Sequence, residues 1–451
     1  MKSKLLLLTL FIAGCSTQVS SLNEQQLVQK AQQGQGRAQF ELANRLAGKA
    51  QPDYRAAMHW MKKAAENGVM SVDKATQSYA AAQVAMWYEQ GLGEPKDLVK
   101  ARSWWQQSAR LGNAQASWRL ALLCQQKNDG LLVAACIDSV EQAAKGNVIE
   151  AQRALAQWYS QKSEASKEAI TWLTKAAQAG DNRAQATLAS FYAQGRGVPR
   201  NLAIAERWYI KAAKQGDAQA LLWMAEQSRG KTALGWYQQA AEAGSATAQL
   251  WLAHAYQSGK SLPANRELAH KWLVKAVNSG SHEAEYLFAL QQTSSAQREH
   301  YLMLAAEGGL TKAQVALGRA SLRSQDFSQA RAWFAKAATQ GDVDGCFEYG
   351  EMLRTGQGGE HDYHGAYQQY RYAAQRGNRM AQYRMGMMRE KGLGAPRNNQ
   401  HAYAWFSLAA TGGMAEAIQA RETLEEMMTP EEVKRAQNLS EYWFTQQNLR
   451  Q

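Results

Sequence analysis

Residues 183–216 read RAQATLASFYAQGRGVPRNLAIAERWYIKAAKQG, and this stretch decides how the chain folds. Ala184, Leu188 and Tyr192 recur every four residues, which is the spacing of one face of an α-helix. Gly195 then predicts the end of this helix, because glycine readily adopts the left-handed conformation that closes many helices.

The second half of the stretch predicts a second helix. Pro199 cannot continue the first helix, and Asn201 is a favourable N-cap for the next one. Ala205, Trp208 and Ala212 share one stripe of this second helix at spacings of three and four residues. The stretch therefore predicts a helical hairpin whose apolar stripes need a neighbouring hairpin to cover them.

The same pattern recurs along the chain about eleven times, and each copy ends at a glycine. Successive ends are 28 to 44 residues apart, and the shortest copies lose the loop between the helices rather than a helix. Stacked hairpins share one continuous core, so the 451 residues are predicted to form a solenoid instead of several separate globular domains. The repeat-ending glycines are Gly68, Gly112, Gly146, Gly180, Gly216, Gly244, Gly280, Gly309, Gly341, Gly377 and Gly413.

Several positions recur at fixed offsets, namely Ala-Gln, Leu-Ala, Tyr-x-x-Gly-x-Gly, Asn, Ala-x-x-Trp and Lys-Ala-Ala-x-x-Gly. This pattern resembles the Sel1-like repeat family, which is related to tetratricopeptide repeats. The resemblance implies an all-α fold, a right-handed α-solenoid of about eleven stacked helical hairpins that holds partner proteins. Residues 25–413 would form the Sel1-like repeat solenoid, and residues 414–451 would form C-terminal capping helices.

Residues 1–14 predict a lipoprotein signal peptide. The basic start MKSK precedes an apolar run that is too short to span a bilayer. The sequence IAGC at residues 12–15 resembles a bacterial lipobox, which implies cleavage before Cys15 and a lipid on its sulfur. Residues 15–24 would then form the lipidated N-terminus and a short tether.

Ser16 follows the lipobox, at a place where aspartate would resemble the inner-membrane retention signal of Gram-negative bacteria. The implied location is therefore the outer membrane, with the chain anchored by lipid and facing the periplasm. An ordinary signal peptide with a cysteine at this place by chance is the alternative.

The remaining cysteines suit an oxidising compartment. Cys124 and Cys136 fall in one repeat, on faces that its two helices are predicted to bury against each other, so they are a candidate disulfide. Two small buried thiols are the alternative. Cys346 has no evident partner, and no Cys/His spacing indicates a structural zinc site.

The sequence predicts no enzyme and no cofactor. It contains no nucleophile elbow and no Ser/His/Asp pattern, so no catalytic residue is proposed. The densest group of potential metal ligands, at residues 360–364, lies in a loop between helices and is predicted to be solvated rather than bound to metal. No small-molecule substrate is expected. A penicillin-binding or hydrolytic enzyme stays as an alternative. The resemblance includes cysteine-rich relatives that bind β-lactams, but those carry a cysteine pair in nearly every repeat and this chain does not.

The charge indicates which partners the chain could attract. The formal net charge is +12, or +10 once the two lysines of the signal peptide are removed. A basic periplasmic protein could favour an anionic glycan or an acidic protein face. Alternatively, the repeated Lys175, Lys211, Lys275 and Lys336 simply solubilise one outer surface. The predicted location, rather than the charge, excludes nucleic acid.

A candidate partner-binding groove follows from the first helix of each repeat. The position of Ala186, six residues after the preceding repeat-ending glycine, points away from the hairpin's own seam at 100° per residue. We call it the ring position, because four repeats place an aromatic residue there, and the resemblance implies that it lines a concave groove. A second row lies one turn on. The alternative is that the rings only pack on the adjacent repeat. The candidates are Trp118, Tyr286, Phe347 and Tyr383 at the ring position, and His254, Arg319, Glu351 and Met387 one turn on.

Taken together, these features predict an outer-membrane-anchored periplasmic scaffold that binds other envelope proteins through its groove. Its architecture resembles that of scaffold lipoproteins in exopolysaccharide assembly, of the alginate type. A surface-exposed or secreted factor that engages host proteins is the alternative of a different class.

Overall fold

The computed structural model describes residues 19, 21–67, 72–162 and 167–448. The predicted signal peptide, Cys15 and part of the tether lie outside these residues. Within them the chain forms 25 α-helices, one short 3-10 turn at Ala134–Cys136 and no β-strand. The predicted all-α class is confirmed.

The chain divides into two compact units, the first ending at Met224 and the second beginning at Ala225. The helices that lie wholly in the first unit are α1 Glu24–Gln32, α2 Gly36–Ala47, α3 Tyr54–Glu66, α4 Lys74–Gln90, α5 Leu98–Arg110, α6 Ala114–Lys127, α7 Ile137–Lys145, α8 Ile149–Lys162, α9 Lys167–Gln178, α10 Asn182–Gln194 and α11 Leu202–Lys214. Helix α12, Ala218–Gln227, includes the boundary.

The second unit continues the helical series. Its helices are α13 Gly230–Glu242, α14 Ala246–Ser258, α15 Arg266–Asn278, α16 His282–Gln291, α17 Ser295–Glu307, α18 Thr311–Arg323, α19 Phe327–Thr339, α20 Val343–Thr355, α21 Tyr363–Gln375, α22 Arg379–Lys391, α23 Asn399–Ala410, α24 Ala415–Glu425 and α25 Pro430–Asn448.

Consecutive helices pair as hairpins within each unit. In the first unit the pairs are α2/α3, α4/α5, α6/α7, α8/α9 and α10/α11, and each first helix also packs on the second helix of the preceding pair. In the second unit the pairs from α14/α15 to α22/α23 follow the same rule, and α24 and α25 both pack on α23. The stacked hairpins that the sequence predicts are therefore present.

The local signals act as expected in the repeat at residues 183–216. Asp181 caps α10 by accepting a hydrogen bond from the backbone N–H of Ala184 at 2.7 Å, and Asn201 caps α11 by accepting one from Ile204 at 3.0 Å. Gly195 ends α10 in the left-handed region at φ 75°. Each cap satisfies backbone groups that a helix end otherwise leaves without a partner.

The repeated lysines lie over tryptophan rings of the second helices. Their Nζ atoms are 4.1 to 4.3 Å from the ring centroids, and each tryptophan precedes its lysine by three residues. The charged ends of these exposed lysines therefore lie over the faces of the tryptophan rings in cation–π contacts. The pairs are Trp172 with Lys175, Trp208 with Lys211, Trp272 with Lys275 and Trp333 with Lys336.

A buried glutamine joins successive hairpins. Gln185, five residues after Gly180, lies in α10 and donates from Nε2 to the carbonyl oxygen of Ala177, near the end of α9, at 3.0 Å. We call this place in each repeat the glutamine position. The same bond to the residue eight places earlier is made by Gln39, Gln152, Gln249, Gln314 and Gln382.

The amide oxygen of the buried glutamine needs a donor of its own. Gln215, at the end of α11, supplies one to Gln185 at 2.9 Å, and Gln340 supplies one to Gln314 at 2.9 Å. The Oε1 atom of Gln152 is buried without a hydrogen-bond partner, because the residue that corresponds to Gln215 in its hairpin is Ala179.

Replacing Ala179 by glutamine should therefore stabilise the protein. The new amide can donate to Gln152 as Gln215 donates to Gln185, and relieving a buried unsatisfied acceptor is worth about 1 kcal/mol. We expect Ala179→Gln to raise the melting temperature in circular dichroism by a few degrees.

Ala243→Gln is the matched control, because Ala243 has the same place at the end of α13 but its hairpin carries Leu221 at the glutamine position. An equal rise in the control would show that the gain comes from the helix end and not from the buried oxygen.

Candidate partner-binding site

The ring position does not face away from its own hairpin as predicted. The ring of Phe347 lies 6.0 Å from that of Tyr370, and the ring of Tyr383 lies 5.6 Å from that of Phe406. Both partners belong to the second helix of the same hairpin, α21 or α23. The orientation expected from helical periodicity is therefore wrong for these two side chains.

Glycines in the first helices explain this packing. Gly350 and Gly386 lie three residues after Phe347 and Tyr383, at a place where Gln185's repeat carries Ala189. A Cβ at Gly386 would stand 2.4 Å from the ring of Phe406, and one at Gly350 would stand 2.8 Å from the ring of Tyr370. Removing the methyl group lets the second-helix ring approach the first helix and meet the ring position.

The other two rings are also half-buried within core clusters. Trp118 packs against a cluster that includes Val140 of its own hairpin and Leu155 of the next, and Tyr286 packs against a cluster that includes Leu302 and Leu317. Phe40 occupies the ring position as well, which the sequence interpretation missed. The ring position thus contributes to the contacts between repeats.

We expect Tyr383→Ala to lower the free energy of unfolding by about 2 to 3 kcal/mol, because the ring packs beside Phe406, Tyr403 and Leu424. Thermal melts followed by circular dichroism measure the loss. Tyr442→Ala is the control, since that ring is 60% exposed and its removal should cost under about 0.5 kcal/mol. A loss below about 1 kcal/mol for Tyr383→Ala, together with weaker partner capture, would restore the ring to the binding site.

The charged candidates connect consecutive first helices. Arg319 of α18 donates to Glu348 at 2.9 Å and to Asp344 at 3.4 Å, both in α20. Arg384 of α22 donates to Glu351 of α20 at 2.7 and 3.2 Å. These pairs join neighbouring repeats on the face formed by the first helices.

Glu351 is the centre of the second ion-pair group. It also accepts hydrogen bonds from Arg354 and from the hydroxyl of Tyr370. Burial raises the pKa of Glu351, but the hydrogen bonds from Arg354, Arg384 and Tyr370 outweigh it and hold the pKa below its usual value. Met387 lies beside this group, 3.5 Å from an Arg384 nitrogen.

Two grooves open on the face of the first helices, one in each unit. The first, which we call the arginine groove, has a volume of about 410 Å³ and lies between α8, α9 and α10. Ala156, Leu173 and Phe191 are buried and form its apolar floor. Its charged lining residues are Arg153, Arg183 and Arg196.

The second groove, which we call the leucine groove, has a volume of about 550 Å³ and lies between α14, α15 and α16. Leu250, Leu273, Leu287 and Leu290 line it, and Leu290 is 55% exposed. The predicted candidate His254 also lines this groove. It is the only one of the eight candidates to line either of these grooves.

Both grooves use equivalent places in the repeat. Arg153 and Leu250 each directly follow the buried glutamine of their repeat, Gln152 or Gln249, and so lie at the ring position. Leu173 and Leu273 each lie seven residues before the glycine that ends the repeat. The stacking of hairpins therefore creates the groove, and the side chains that line it differ from repeat to repeat. The sequence did contain a signal for these grooves, because Arg153 and Leu250 stand at the ring position where other repeats carry an aromatic residue.

The cysteines predicted to pair are joined by a disulfide in the structure. The Cα atoms of Cys124 and Cys136 are 5.7 Å apart, within the range of disulfides, and Cys136 is buried. Cys124 lies in α6, whereas Cys136 lies in the 3-10 turn that leads into α7 rather than on the helix itself. The bond therefore fixes the loop of this hairpin. Cys346 is free, and burial raises the pKa of its thiol to about 11.

Breaking this bond should destabilise the protein. A disulfide that spans 12 residues removes loop entropy from the unfolded chain worth about 3 kcal/mol, so Cys124→Ser should lower the melting temperature by several degrees. Wild-type protein treated with a reductant is the internal control, and its melting temperature should equal that of the variant. Two alkylatable thiols at Cys124 and Cys136 before any reduction would show that the bond does not form in cells.

His361, in the loop before α21, and His364, in the first turn of α21, each contact a backbone carbonyl through Nδ1. His361 contacts the carbonyl oxygen of Arg354 through Nδ1 at 2.9 Å, and His364 contacts that of Gly394 at 3.3 Å. Among the described residues no three His, Cys, Asp or Glu side chains come together as a metal site. The same residues contain no helix that is both long and apolar enough to cross a membrane.

The Sel1 repeat family model matches more than half of the chain, and the chain therefore belongs to the Sel1 repeat family. The matched residues are 36–69, 78–113, 149–181, 182–217, 225–245, 246–281, 311–342, 343–378 and 379–414. A tetratricopeptide-like solenoid and a general role in protein–protein interaction follow from this membership.

Two solved structures are similar to this chain, and the first of them shows the same fold. The crystal structure of c5321, a protective antigen present in uropathogenic Escherichia coli strains and displaying an SLR fold, is 28% identical. The match covers 94% of this chain and 95% of that one, with a TM-score of 0.63. A Sel1 repeat protein from Oxalobacter formigenes is 27% identical over 54% of this chain and 96% of that one, with a TM-score of 0.42.

Curated relatives match shorter segments. Chitin synthase regulator SKT5 of Saccharomyces cerevisiae is 34% identical over 137 residues, which are 29% of this chain and 20% of the regulator. Chitin synthase regulatory factor 3 of Schizosaccharomyces pombe is 37% identical over 91 residues. The chain thus spans a fifth or less of the length of these two relatives.

Proposed function

We propose that this protein is a non-catalytic scaffold that binds partner proteins on the face of its first helices. The observation that carries the proposal is the pair of grooves at equivalent places in two repeats, each with an apolar lining and polar or charged groups beside it. Apolar grooves with a few polar groups are the usual form of a recognition site. In contrast, the second helices present lysines folded over tryptophans, which suits a solvated surface.

We also propose that the scaffold is a lipoprotein of the outer membrane that faces the periplasm. The lipobox at residues 12–15 and Ser16 support the anchor and its address. The Cys124–Cys136 disulfide geometry supports an oxidising compartment. Envelope proteins are then the partners within reach.

A role beside a polysaccharide-synthesising system is the finer proposal. Two relatives are named as chitin synthase regulators, so Sel1 repeats occur in proteins that regulate a polysaccharide synthase. A periplasmic scaffold of exopolysaccharide assembly, of the alginate type, would apply such repeats to the bacterial envelope.

A second candidate is a surface-exposed factor that engages host proteins. It is favoured by the likeness to c5321, which is described as a protective antigen and matches nearly the whole chain. Protease treatment of intact cells separates the two candidates, because only a surface-exposed chain is cleaved without permeabilising the outer membrane.

The scaffold proposal predicts where partners crosslink. A photo-crosslinking amino acid at Gln257, an exposed residue of the leucine groove, should trap envelope proteins in living cells. The same amino acid at Lys275, on the second helix of the same hairpin, is the matched control and should trap far less. Equal products from both places, or none, would contradict a binding face on the first helices.

The anchor is tested in the same cells. Cys15→Ser should move the chain from the membrane to the soluble fraction and remove the Gln257 products that depend on the membrane. Ser16→Asp should keep the chain in membranes but shift it to the inner-membrane fraction of a Gram-negative host. Outer-membrane association that survives Cys15→Ser would overturn the lipid anchor.

A further inference from the structure

We propose that the arginine groove binds a peptide segment that carries a carboxylate beside a large apolar side chain. The inference rests on the proposed function and deepens it, since it names a site and the chemistry of the segment bound there. The groove lies entirely within the first compact unit, between the consecutive first helices α8 and α10.

The charge of the groove favours a carboxylate. Arg153, Arg183 and Arg196 line it, and no described lining residue is acidic. Arg153 pairs with Asp181, which caps α10, so this arginine is held in place by the junction between the repeats. Arg183 and Arg196 are both exposed at the groove, and the planar guanidinium of Arg183 can bind a carboxylate through two parallel hydrogen bonds.

The floor of the groove favours a peptide over an anionic glycan. Ala156, Leu173 and Phe191 are each less than 10% exposed, yet they form the base of a groove of about 410 Å³. The Phe191 ring lies 5.9 Å from the guanidinium carbon of Arg196, so an apolar surface and a positive charge are adjacent. A leucine or phenylalanine of a peptide can cover this floor while its acidic neighbour meets the arginines. A uronate or phosphate chain supplies only the charge.

The leucine groove has an equivalent framework, but its described lining contains a single arginine, Arg266 of α15. At the ring position it carries Leu250 where the arginine groove carries Arg153, and Leu287 occupies the place of Thr187. The framework is shared, so the difference in lining sets a difference in ligand. An acidic apolar segment suits the first groove, whereas the second presents leucines together with Arg266, His254 and His270.

Panning of a random displayed peptide library on the purified full-length chain in detergent tests the proposal. Peptides that bind should be enriched in Asp or Glu next to Leu, Ile, Phe or Trp. Their affinity should fall at least about tenfold for Arg183→Glu/Arg196→Glu, because two attractive charges become repulsive. Binding should also weaken as salt is added.

Arg207→Glu is the matched control, since Arg207 is an exposed residue of α11 that does not line the groove. It should leave the affinity within about twofold. If the double variant melts at a lower temperature than wild type, Arg183→Gln alone should still reduce affinity several-fold with an unchanged melt.

Three outcomes would overturn the proposal. They are enriched peptides without an acidic excess, enriched peptides that bind the double variant as well as the wild type, and binding of an oligouronate as strong as that of the selected peptides. None of these results touches the crosslinking from Gln257 or the fractionation of Cys15→Ser, so a failure here is distinct from a failure of the proposed scaffold.

Discussion

The stack of hairpins depends on the amide of a buried glutamine that reaches back to the preceding repeat. In the clearest case Gln185 bonds the carbonyl of Ala177 and receives a bond from Gln215, so three helices meet at one side chain. The last carbonyls of a helix have no partner within it, and burying them between repeats is costly unless a donor is supplied. Glutamine provides this donor and also an acceptor that the end of its own hairpin can satisfy. The interaction is short-range and repeats along the chain, which is the condition for a solenoid to extend without a central core.

The hairpins that lack this glutamine show how much variation the stack tolerates. In four repeats the glutamine position carries another residue, namely Ser117, Leu221, Glu285 or Cys346. The family model leaves residues 114–148 and 282–310 unmatched, and these segments include Ser117 and Glu285. The hairpin with Ser117 carries the disulfide, which constrains it covalently where the amide is missing. Cys346 places its sulfur 3.7 Å from the carbonyl of Ala338, a weak substitute for the amide at the same distance along the chain. The thiol of Cys346 thus replaces the lost amide at the junction between repeats, whereas the disulfide fixes the loop within its own hairpin.

Local signals made the helices and the repeat predictable from the sequence. The orientation of side chains on the first helix could not be predicted in this way. Caps such as Asn201 and stops such as Gly195 act within a few residues, so their outcome is decided by neighbouring sequence. The direction of Tyr383 instead depends on Phe406 and on the absence of a methyl group at Gly386, residues that belong to two helices. Helical periodicity gives an angle around one axis and carries no information about what the next helix places there. Pairing the glycine of the first helix with the aromatic residue of the second would have revealed the contact.

The same limit explains why most of the side chains predicted for a binding face lie outside the two grooves, although His254 lines one of them. Aromatic residues are favoured at interfaces, which is why they were the predicted candidates. In this chain, however, the large rings on the first helices pack within and between repeats. Charged candidates such as Arg319 and Glu351 are likewise engaged in pairs between consecutive first helices. A repeat that packs by rings and ion pairs has little space between its first helices. Where the ring position carries Arg153 or Leu250 instead, a groove opens at the same place, so the proposed binding surface lies where the aromatic ring is absent.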